Sequence, residues 1–345
     1  MVRLLNVKMM TKLIHKQGIE AIFADIMAQL KKDFTNWESF QNIPRPAFHV
    51  DGGVLELMPV CGKEKFAFKC VNGHPKNTAV GKQTVVATGQ LLNVDDGYPI
   101  LITEMTLLTA LRTASVSAIA SDLMARKDAS TLAVIGNGAQ SEYQTIAHKL
   151  IRDIKEVRYF DTDPKAMDKY EQNMKLNFAG HKVDLVRCND AKSAVTGADI
   201  IIVCTACKAH AEVIKYDWLT KGQHINGLGG DCPGKTELQK EILENSYVAV
   251  EFFDQSFIEG EIQVFDEEKA RSIVDAHFYE IIRGDKVGRN NDDEITVFDS
   301  VGIALEDLSA LSVIHTLSEK YNIGEIYEMI PDIKDPKNLF GLLVE

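Results

Sequence analysis

The first hundred residues change from a helical to a strand-like pattern of apolar positions. Residues 8–40 carry apolar side chains at helical spacing with polar residues between them, which predicts one or two amphipathic helices. Beyond residue 49 the period is two, as in half-buried strands. These strand-like runs lie at 49–58, 65–71, 84–93 and 98–103, with a hairpin turn at Asp95-Asp96-Gly97 before the last. The opening region is therefore predicted to combine helix with a mostly antiparallel sheet.

The pattern then becomes a regular alternation of strands and helices. A helix-like stretch rich in Ala, Leu and Met at 104–126 connects the two parts. The strand-like runs that follow lie near 131–135, 156–160, 183–187, 198–203, 223–227, 247–251 and 295–298. Alternation of this kind predicts a parallel sheet with helices on both faces. The fold class is therefore α/β, a Rossmann-type doubly wound domain beside an α+β domain, and a helix at 304–321 is expected to return to the first domain.

A glycine-rich turn between the first strand and helix of this second region predicts a dinucleotide site. The apolar run at 131–135 ends in Gly136-Asn137-Gly138-Ala139-Gln140, and Ser141 begins the next helical pattern. The free N–H groups and the dipole of a helix N-terminus favour a pyrophosphate there. A second strand ends at Asp161, 20 positions after Ser141, where a carboxylate accepts hydrogen bonds from the adenosine ribose. Because Asp161 would repel a 2′-phosphate, the sequence favours NAD over NADP.

Composition and charge narrow the classes of partner. The chain has 345 residues and a formal net charge of −12, which argues against nucleic acid and anionic membranes as partners. No apolar run approaches the length of a membrane span, and Lys and Arg interrupt the start of the chain, so we expect a cytoplasmic protein.

The cysteines and histidines do not predict a metal site. Cys204 and Cys207 form the one CxxC pair among six cysteines, and no second pair supplies further zinc ligands. Cysteines at the end of a buried strand are more simply structural. The nine histidines are scattered, and no metal is expected.

Isolated charges in the first domain are candidates for substrate binding. Lys69 lies in the apolar strand FAFKCV, opposite its Phe neighbours, and Arg112 lies in an Ala/Leu-rich helix. With Arg45 they could form a clamp for a substrate carboxylate, although each alone is more often a salt-bridge partner or a surface residue. Glu56 interrupts another apolar strand and could point to the site or to solvent.

Two later segments place polar residues after strands. The segment 226–238, NGLGGDCPGKTEL, carries Asp231 just beyond a predicted parallel strand, with Pro233-Gly234-Lys235 at the expected start of a helix. The carboxyl edge of such a sheet is where ligands bind, so Asp231 could move protons on a substrate amine. The segment 296–302 ends another strand in small polar residues, Ser300 among them, that could close over the cofactor.

These segments resemble the ornithine cyclodeaminase/μ-crystallin family over nearly the whole chain. The matching motifs are ELMPV (56–60), FAFKCVNGHPKNTA (66–79), ALRTAS (110–115), LAVIGNGAQSEYQ (132–144), NGLGGDCPGKTEL (226–238), IEGEIQ (258–263), TVFDSVGIALED (296–307) and DPKNLF (335–340). A set of this length is far more specific than a glycine pair. CTAC at 204–207 departs from the family pattern around Thr205, and this change should affect packing more than chemistry.

The resemblance implies an NAD-dependent lyase that converts L-ornithine to L-proline and ammonia by internal hydride transfer through an imine. By this resemblance Asp231 would be the catalytic acid/base, with Glu56 assisting near the substrate amino groups. Arg45, Lys69, Arg112 and Val301 would bind the substrate. The residues expected to contact NAD are Thr84, Arg112, Gly136, Gly138, Ala139, Gln140, Asp161, Thr205, Leu228, Gly229, Gly230, Lys235, Ser300 and Lys337.

The resemblance also implies an organisation and leaves alternatives. Residues 1–118 with 322–345 would form a substrate-binding and dimerisation domain, residues 119–321 the NAD-binding domain, and the protein a homodimer. Rival activities are an NADH-dependent cyclic ketimine reductase, an amino-acid dehydrogenase and a lysine cyclodeaminase, since one methylene changes binding by only about 1–3 kcal/mol. A non-catalytic binder of a small ligand is a further alternative.

Overall fold

A computed structural model of the protein describes residues 1–177, 183–206, 210–230 and 232–344. Its helices, numbered in chain order, are α1 (Val7–Gln17), α2 (Ile19–Thr35), α3 (Thr106–Met124), α4 (Ser141–Ile151), α5 (Pro164–Asn177), α6 (Ala191–Val195), α7 (Lys240–Glu244), α8 (Phe253–Glu259), α9 (Glu267–Ile273), α10 (Phe278–Arg283) and α11 (Ala304–Lys320). Among these residues, no helix is both long and apolar enough to cross a membrane.

The first sheet is built mainly from the opening region. Its strands are β1 (Val2–Leu5), β2 (Gln41–Asn42), β3 (Ala47–Val50), β4 (Gly53–Cys61), β5 (Lys65–Gly73), β6 (Val85–Asn93), β7 (Pro99–Glu104) and β18 (Glu325–Tyr327). They lie in the order β18-β1-β7-β6-β5-β4-β2, with β3 also paired to β4. All pairs are antiparallel except β1 with β7. The mostly antiparallel sheet expected from the period-two pattern is confirmed.

The second sheet is parallel throughout. Its strands are β8 (Thr131–Ile135), β9 (Glu156–Phe160), β10 (Asp184–Arg187), β11 (Ile200–Val203), β13 (His224–Gly227), β15 (Tyr247–Val250), β16 (Val274–His277) and β17 (Thr296–Asp299). They follow the order β10-β9-β8-β11-β13-β17-β15-β16. The chain thus winds outward in both directions from β8, and the order reverses between β8 and β11. This is the doubly wound arrangement that the sequence predicted, and ligands bind at such a reversal.

Alternate side chains of the parallel strands enter two different cores. Leu132 and Val134 of β8 join the larger core, which also contains apolar residues of the first sheet, α2, α3 and α11. Ala133 and Ile135 face the second core on the opposite side. Both faces are therefore covered, which is why these strands read as continuous apolar runs.

Several short elements differ from the sequence-based expectation. β1, β16 and β18 were not predicted, nor was a small parallel sheet of β12 (His210–Ile214) and β14 (Thr236–Leu238). The prediction that a helix starts at 233–235 was wrong, because β14 comes first and α7 starts only at Lys240. The domain division stays a prediction. The helix α11, which that division assigns to the NAD-binding domain, packs against strands β4, β5 and β6 of the first sheet.

Candidate functional site

The glycine turn lies where the parallel strand order reverses. Gly136 follows β8 with φ of +94°, and a Cβ there would lie 2.7 Å from the Cys204 carbonyl oxygen, just beyond β11. Only glycine fits this close approach without strain. At Gly138, by contrast, an added Cβ meets no atom within 4 Å. The backbone at Gly138 and Ala139 is therefore open to a ligand approaching from solvent.

The polar groups around this turn fit a dinucleotide. No side chain caps the start of α4 at Gln140, so its first N–H groups can bind an anion. Asp161, at the end of β9, accepts a 2.6 Å hydrogen bond from the Asn137 N–H and a 2.8 Å bond from the Asp163 N–H. The buried side-chain amide of Asn137 has no hydrogen-bond partner in the described residues. These features match pyrophosphate and ribose, and NAD fits the residues present.

The loop after β13 lies beside the same turn. The Leu228 N–H donates to the Val203 carbonyl oxygen at 3.0 Å. An added Cβ at Gly229 would overlap the Glu237 carboxylate, and one at Gly230 would lie 3.2 Å from the Glu259 carbonyl oxygen. Both glycines therefore let buried carboxyl-bearing segments approach the loop closely.

Thr205 and Lys235 join this loop to the reversal point. The Thr205 hydroxyl donates to the Glu237 carboxylate, and the Lys235 ammonium donates to the Thr205 carbonyl oxygen at 3.2 Å. Lys235 also lines a cleft of about 240 Å³ between residues 232–235 and the β3–β4 hairpin. A larger cleft of about 700 Å³ lies between α2 and α11, and none of the predicted site residues lines it.

Two of the three candidate cations meet one carboxylate. The Lys69 ammonium of β5 donates to Asp307 Oδ1 at 2.9 Å, and Arg112 Nε of α3 lies 3.3 Å from the same oxygen. Arg112 Nη1 donates to Glu306 at 2.6 Å. All four side chains are buried, so α11 supplies the anions that make these buried cations tolerable. Burial, followed by the charge of Arg112, lowers the pKa of Lys69 to about 8.

The third cation, Arg45, reaches the same region from the segment between β2 and β3. Its Nη2 lies 2.6 Å from Glu259 and donates to the Val301 carbonyl oxygen at 2.9 Å. Its Nη1 lies 3.6 Å from Glu56 of β4. Glu56 is buried, and its Oε1 has no hydrogen-bond partner in the described residues. Glu56 thus faces the site rather than solvent.

The turn after β17 connects the substrate and cofactor sides. The Ser300 N–H donates to the Gly227 carbonyl oxygen at 3.0 Å, and the Ser300 hydroxyl donates to Glu251 at 2.6 Å. Val301 follows directly, with its carbonyl bound to Arg45. The two residues predicted from the family motif therefore lie on one turn at the carboxyl edge of the parallel sheet.

Two further carboxyl groups lie buried beneath the loops on the cofactor side. Glu261 accepts hydrogen bonds from the N–H groups of Glu237 and Leu238 at 2.9–3.0 Å, and Asp299 accepts from the Glu261 N–H at 2.9 Å. Burial raises the pKa of Asp299 to about 7 and, helped by the nearby Asp299 charge, raises that of Glu261 well above its usual range.

Three predicted residues are not joined to this network by a described contact. Asp231 and Cys207 lie outside the described residues. Lys337 is exposed on the C-terminal tail, where its N–H donates to Asp335. Thr84 lies half-buried before β6, and its carbonyl accepts from the His74 N–H at 2.7 Å. The roles given to Asp231, Lys337 and Thr84 stay predictions.

The sequence reasoning missed the acidic partners of the site. All of these partners are buried: Glu237, Glu251, Glu259, Glu261, Asp299, Glu306 and Asp307. Each lies in or beside an apolar run or a family motif, and a carboxylate in that setting was a signal that could have been used. Cys204 behaves as a structural cysteine, since burial raises the pKa of its thiol. Among the described residues, no group of three or more His, Cys, Asp or Glu side chains is arranged to hold a metal ion.

The parallel sheet is doubly wound and has an open glycine turn, and the sheet next to it carries buried cations. These features together define a two-domain class of dinucleotide-binding proteins. Within that class, the sequence model of the ornithine cyclodeaminase/mu-crystallin family matches residues 7–321, and the chain belongs to this family. An ornithine cyclodeaminase from Agrobacterium fabrum is 44% identical over 340 residues, which cover 99% of this chain and 94% of that protein.

Solved structures of relatives share the whole fold. An archaeal alanine dehydrogenase dimer with bound NAD has a TM-score of 0.86 at 29% identity, covering 95% of this chain and 99% of that one. A lysine cyclodeaminase, studied for its recognition of L-lysine, L-ornithine and L-2,4-diaminobutyric acid, has a TM-score of 0.87 at 27% identity, covering 97% and 98%. The expected family and fold are confirmed.

Proposed function

We propose that this protein is an NAD-dependent ornithine cyclodeaminase that converts L-ornithine to L-proline and ammonia. The observation that carries the proposal is the pairing of three cations, the buried Lys69 and Arg112 and the largely covered side chain of Arg45, with a buried, incompletely hydrogen-bonded Glu56. An amino acid with one carboxylate and two amino groups is complementary to that combination. The identity of 44% over 99% of the chain to an ornithine cyclodeaminase supports the same activity.

The cations would bind and orient the substrate. Arg45, Lys69 and Arg112 would hold the α-carboxylate, and a guanidinium can do so through two parallel hydrogen bonds. Holding the carboxylate fixes Cα relative to the cofactor-side loops, which lowers the entropic cost of the reaction. When bound, NAD supplies a hydride acceptor for Cα and later the donor that returns the hydride, so the conversion has no net redox change.

Proton transfer would fall to carboxylates. Glu56 Oε1 is available to accept a proton from a substrate amino group, so that the neutral amine can attack. Asp231 is the proposed general acid/base for the departing ammonia. It follows Gly230, whose backbone lies near Glu259, and Glu259 in turn contacts Arg45.

The test is to incubate the purified protein with L-ornithine and catalytic NAD while measuring ammonia, proline and NADH absorbance together. We expect ammonia and proline in equal amounts with no lasting NADH. Parallel reactions with L-lysine measure chain-length preference. NADH accumulation without proline would instead indicate an amino-acid dehydrogenase, and no product from either amino acid would reject cyclodeaminase activity.

We further infer a homodimer acting in the cytoplasm. The outer face of the first sheet exposes apolar residues such as Leu55 and Leu57, and an archaeal relative is a dimer. Cys61, Cys70, Cys188 and Cys204 carry free thiols, which suits a reducing compartment.

A further inference from the structure

One turn touches both guanidinium groups of the proposed carboxylate clamp. The Val301 carbonyl oxygen accepts a 2.9 Å hydrogen bond from Arg45. The next residue, Gly302, has φ of +76°, and an added Cβ would lie 2.5 Å from Arg112 Nη1. This turn therefore borders both guanidinium groups, and a shift of the turn would move its contacts with both.

The turn is fixed from below by a single carboxylate. Glu251 follows β15 and is completely buried. One of its oxygens accepts from the Ser300 hydroxyl at 2.6 Å, and the other accepts from the N–H groups of Val301 at 3.1 Å and Gly302 at 2.6 Å. Hydrogen bonds to an ionised acceptor are about twice as strong as neutral ones. Three of them on one carboxylate leave the turn little freedom.

Glu251 also reaches Arg112 by a second route. Against the effect of burial, the charges of Glu306, Asp307 and Glu251 raise the pKa of Arg112. Glu306 Oε2 accepts a hydrogen bond from Arg112 at 2.6 Å. Burial, with the Glu251 charge, raises the pKa of Glu306 well above its usual range. Glu251 therefore acts on Arg112 through its charge as well as through the turn.

We propose that Glu251 is a positioning residue that sets the substrate-carboxylate clamp, by holding the 300–302 turn against Arg45 and Arg112. The proposal rests on the proposed function, because it concerns the same clamp. Glu251 itself does not touch substrate. Substitution of Glu251 should therefore lower the affinity for ligands that carry an α-carboxylate and leave the affinity for ligands without that group unchanged.

The test variant is Glu251→Gln, which has nearly the same shape. The amide loses the charge. Because its NH₂ group cannot face the N–H groups of Val301 and Gly302, it must turn to the Ser300 hydroxyl, which then accepts instead of donating. The matched control is Asp275→Asn, which alters a carboxylate that accepts a 2.8 Å bond from the Val248 N–H of the same strand. Binding is measured by calorimetry with the protein loaded with NADH, which cannot accept a hydride and so prevents turnover. The ligands are L-ornithine, L-proline and putrescine, the diamine that lacks the carboxylate.

We expect Glu251→Gln to weaken L-ornithine and L-proline binding about tenfold or more, since it disrupts charge-assisted hydrogen bonds. Putrescine binding should change by less than about twofold, and Asp275→Asn should leave all three affinities unchanged. KM for ornithine should rise with the Kd.

Equal losses for putrescine and the amino acids would reject a positioning role and indicate general damage to the fold. Unchanged L-proline binding in Glu251→Gln would also reject it. If Glu251→Gln does not fold, Glu251→Asp, which keeps the charge on a shorter arm, must show the same selective loss. Failure of the proposed function is distinguishable, because wild-type protein would then bind L-proline or another α-amino acid without releasing ammonia from ornithine.

Discussion

The buried ammonium of Lys69 makes the clamp sensitive to pH. Its pKa is lowered to about 8, mainly by burial. Below this pH the side chain is charged and attracts a carboxylate, and above it the attraction is lost. We therefore expect the affinity for L-proline to fall as pH rises through about 8. Calorimetry at several pH values measures this, since the secondary amine of proline does not titrate there.

The control for Lys69 lies on the same strand. Lys69→Met should bind L-proline weakly and without this pH dependence, whereas Lys65→Met, at the less buried start of β5, should keep the wild-type profile. An affinity that stays constant through pH 8 in the wild type would show that Lys69 does not contact the carboxylate.

Asp161 is the residue that should decide between NAD and NADP. Its carboxylate lies at the end of β9, bound to the Asn137 N–H of the glycine turn. Asp161→Ser should weaken NAD binding about tenfold by removing an ionised acceptor, and should improve the NADP-to-NAD affinity ratio by removing repulsion. Fluorescence titration measures both. Asp168→Asn on α5 is the control, and an unchanged ratio in Asp161→Ser would contradict the assignment.

At the scale of elements, the two glycines of the β8–α4 turn should have different roles, Gly136 in stability and Gly138 in cofactor binding. Gly136→Ala forces a Cβ onto the Cys204 backbone at positive φ and should cost about 1–3 kcal/mol of unfolding free energy. Gly138→Ala places its Cβ in open space, so thermal stability should hold while NAD affinity falls. Thermal unfolding with and without NAD distinguishes the two variants. Full NAD binding by Gly138→Ala would place the cofactor elsewhere.

At the scale of the whole molecule, the first sheet presents an apolar outer face. Leu55 and Leu57 of β4 are each 40% exposed, and Val86 of β6, in the same cross-strand row as Leu55, is 42% exposed. If this face forms the dimer, Leu57→Glu should shift the protein to monomer in sedimentation velocity. Leu342→Glu, exposed on the tail, is the control. A dimer that persists in Leu57→Glu would move the interface to another face.

The strands that are buried on both faces were predicted from the sequence more successfully than those at the edge of a sheet. β8 and β11 were predicted well because both faces are covered, so their sequences are continuously apolar. β1 and β18 lie at one end of the first sheet and carry short, partly polar sequences. Their pairing joins the two ends of the chain, a partnership that no local pattern encodes.

Lys69 and Arg112 could be named as candidates from the sequence because a charge inside an apolar run is anomalous on its own. Their partners were missed because they are distant in sequence: Lys69 and Asp307 are 238 positions apart, and Arg112 and Glu306 are 194 apart. The role of Glu251 was missed for the same reason. Its role depends on the neighbouring strand β17, whose following turn it holds.

The sequence by itself determined the main buried strands and helices, the doubly wound sheet, the glycine turn and the residues that make the family recognisable. Each of these depends on local features, such as periodicity and the backbone freedom of glycine. Only the tertiary structure decided which carboxylate neutralises which cation and which turn holds the clamp. Those pairings arise because a buried charge must find a partner wherever the packed elements bring one within reach.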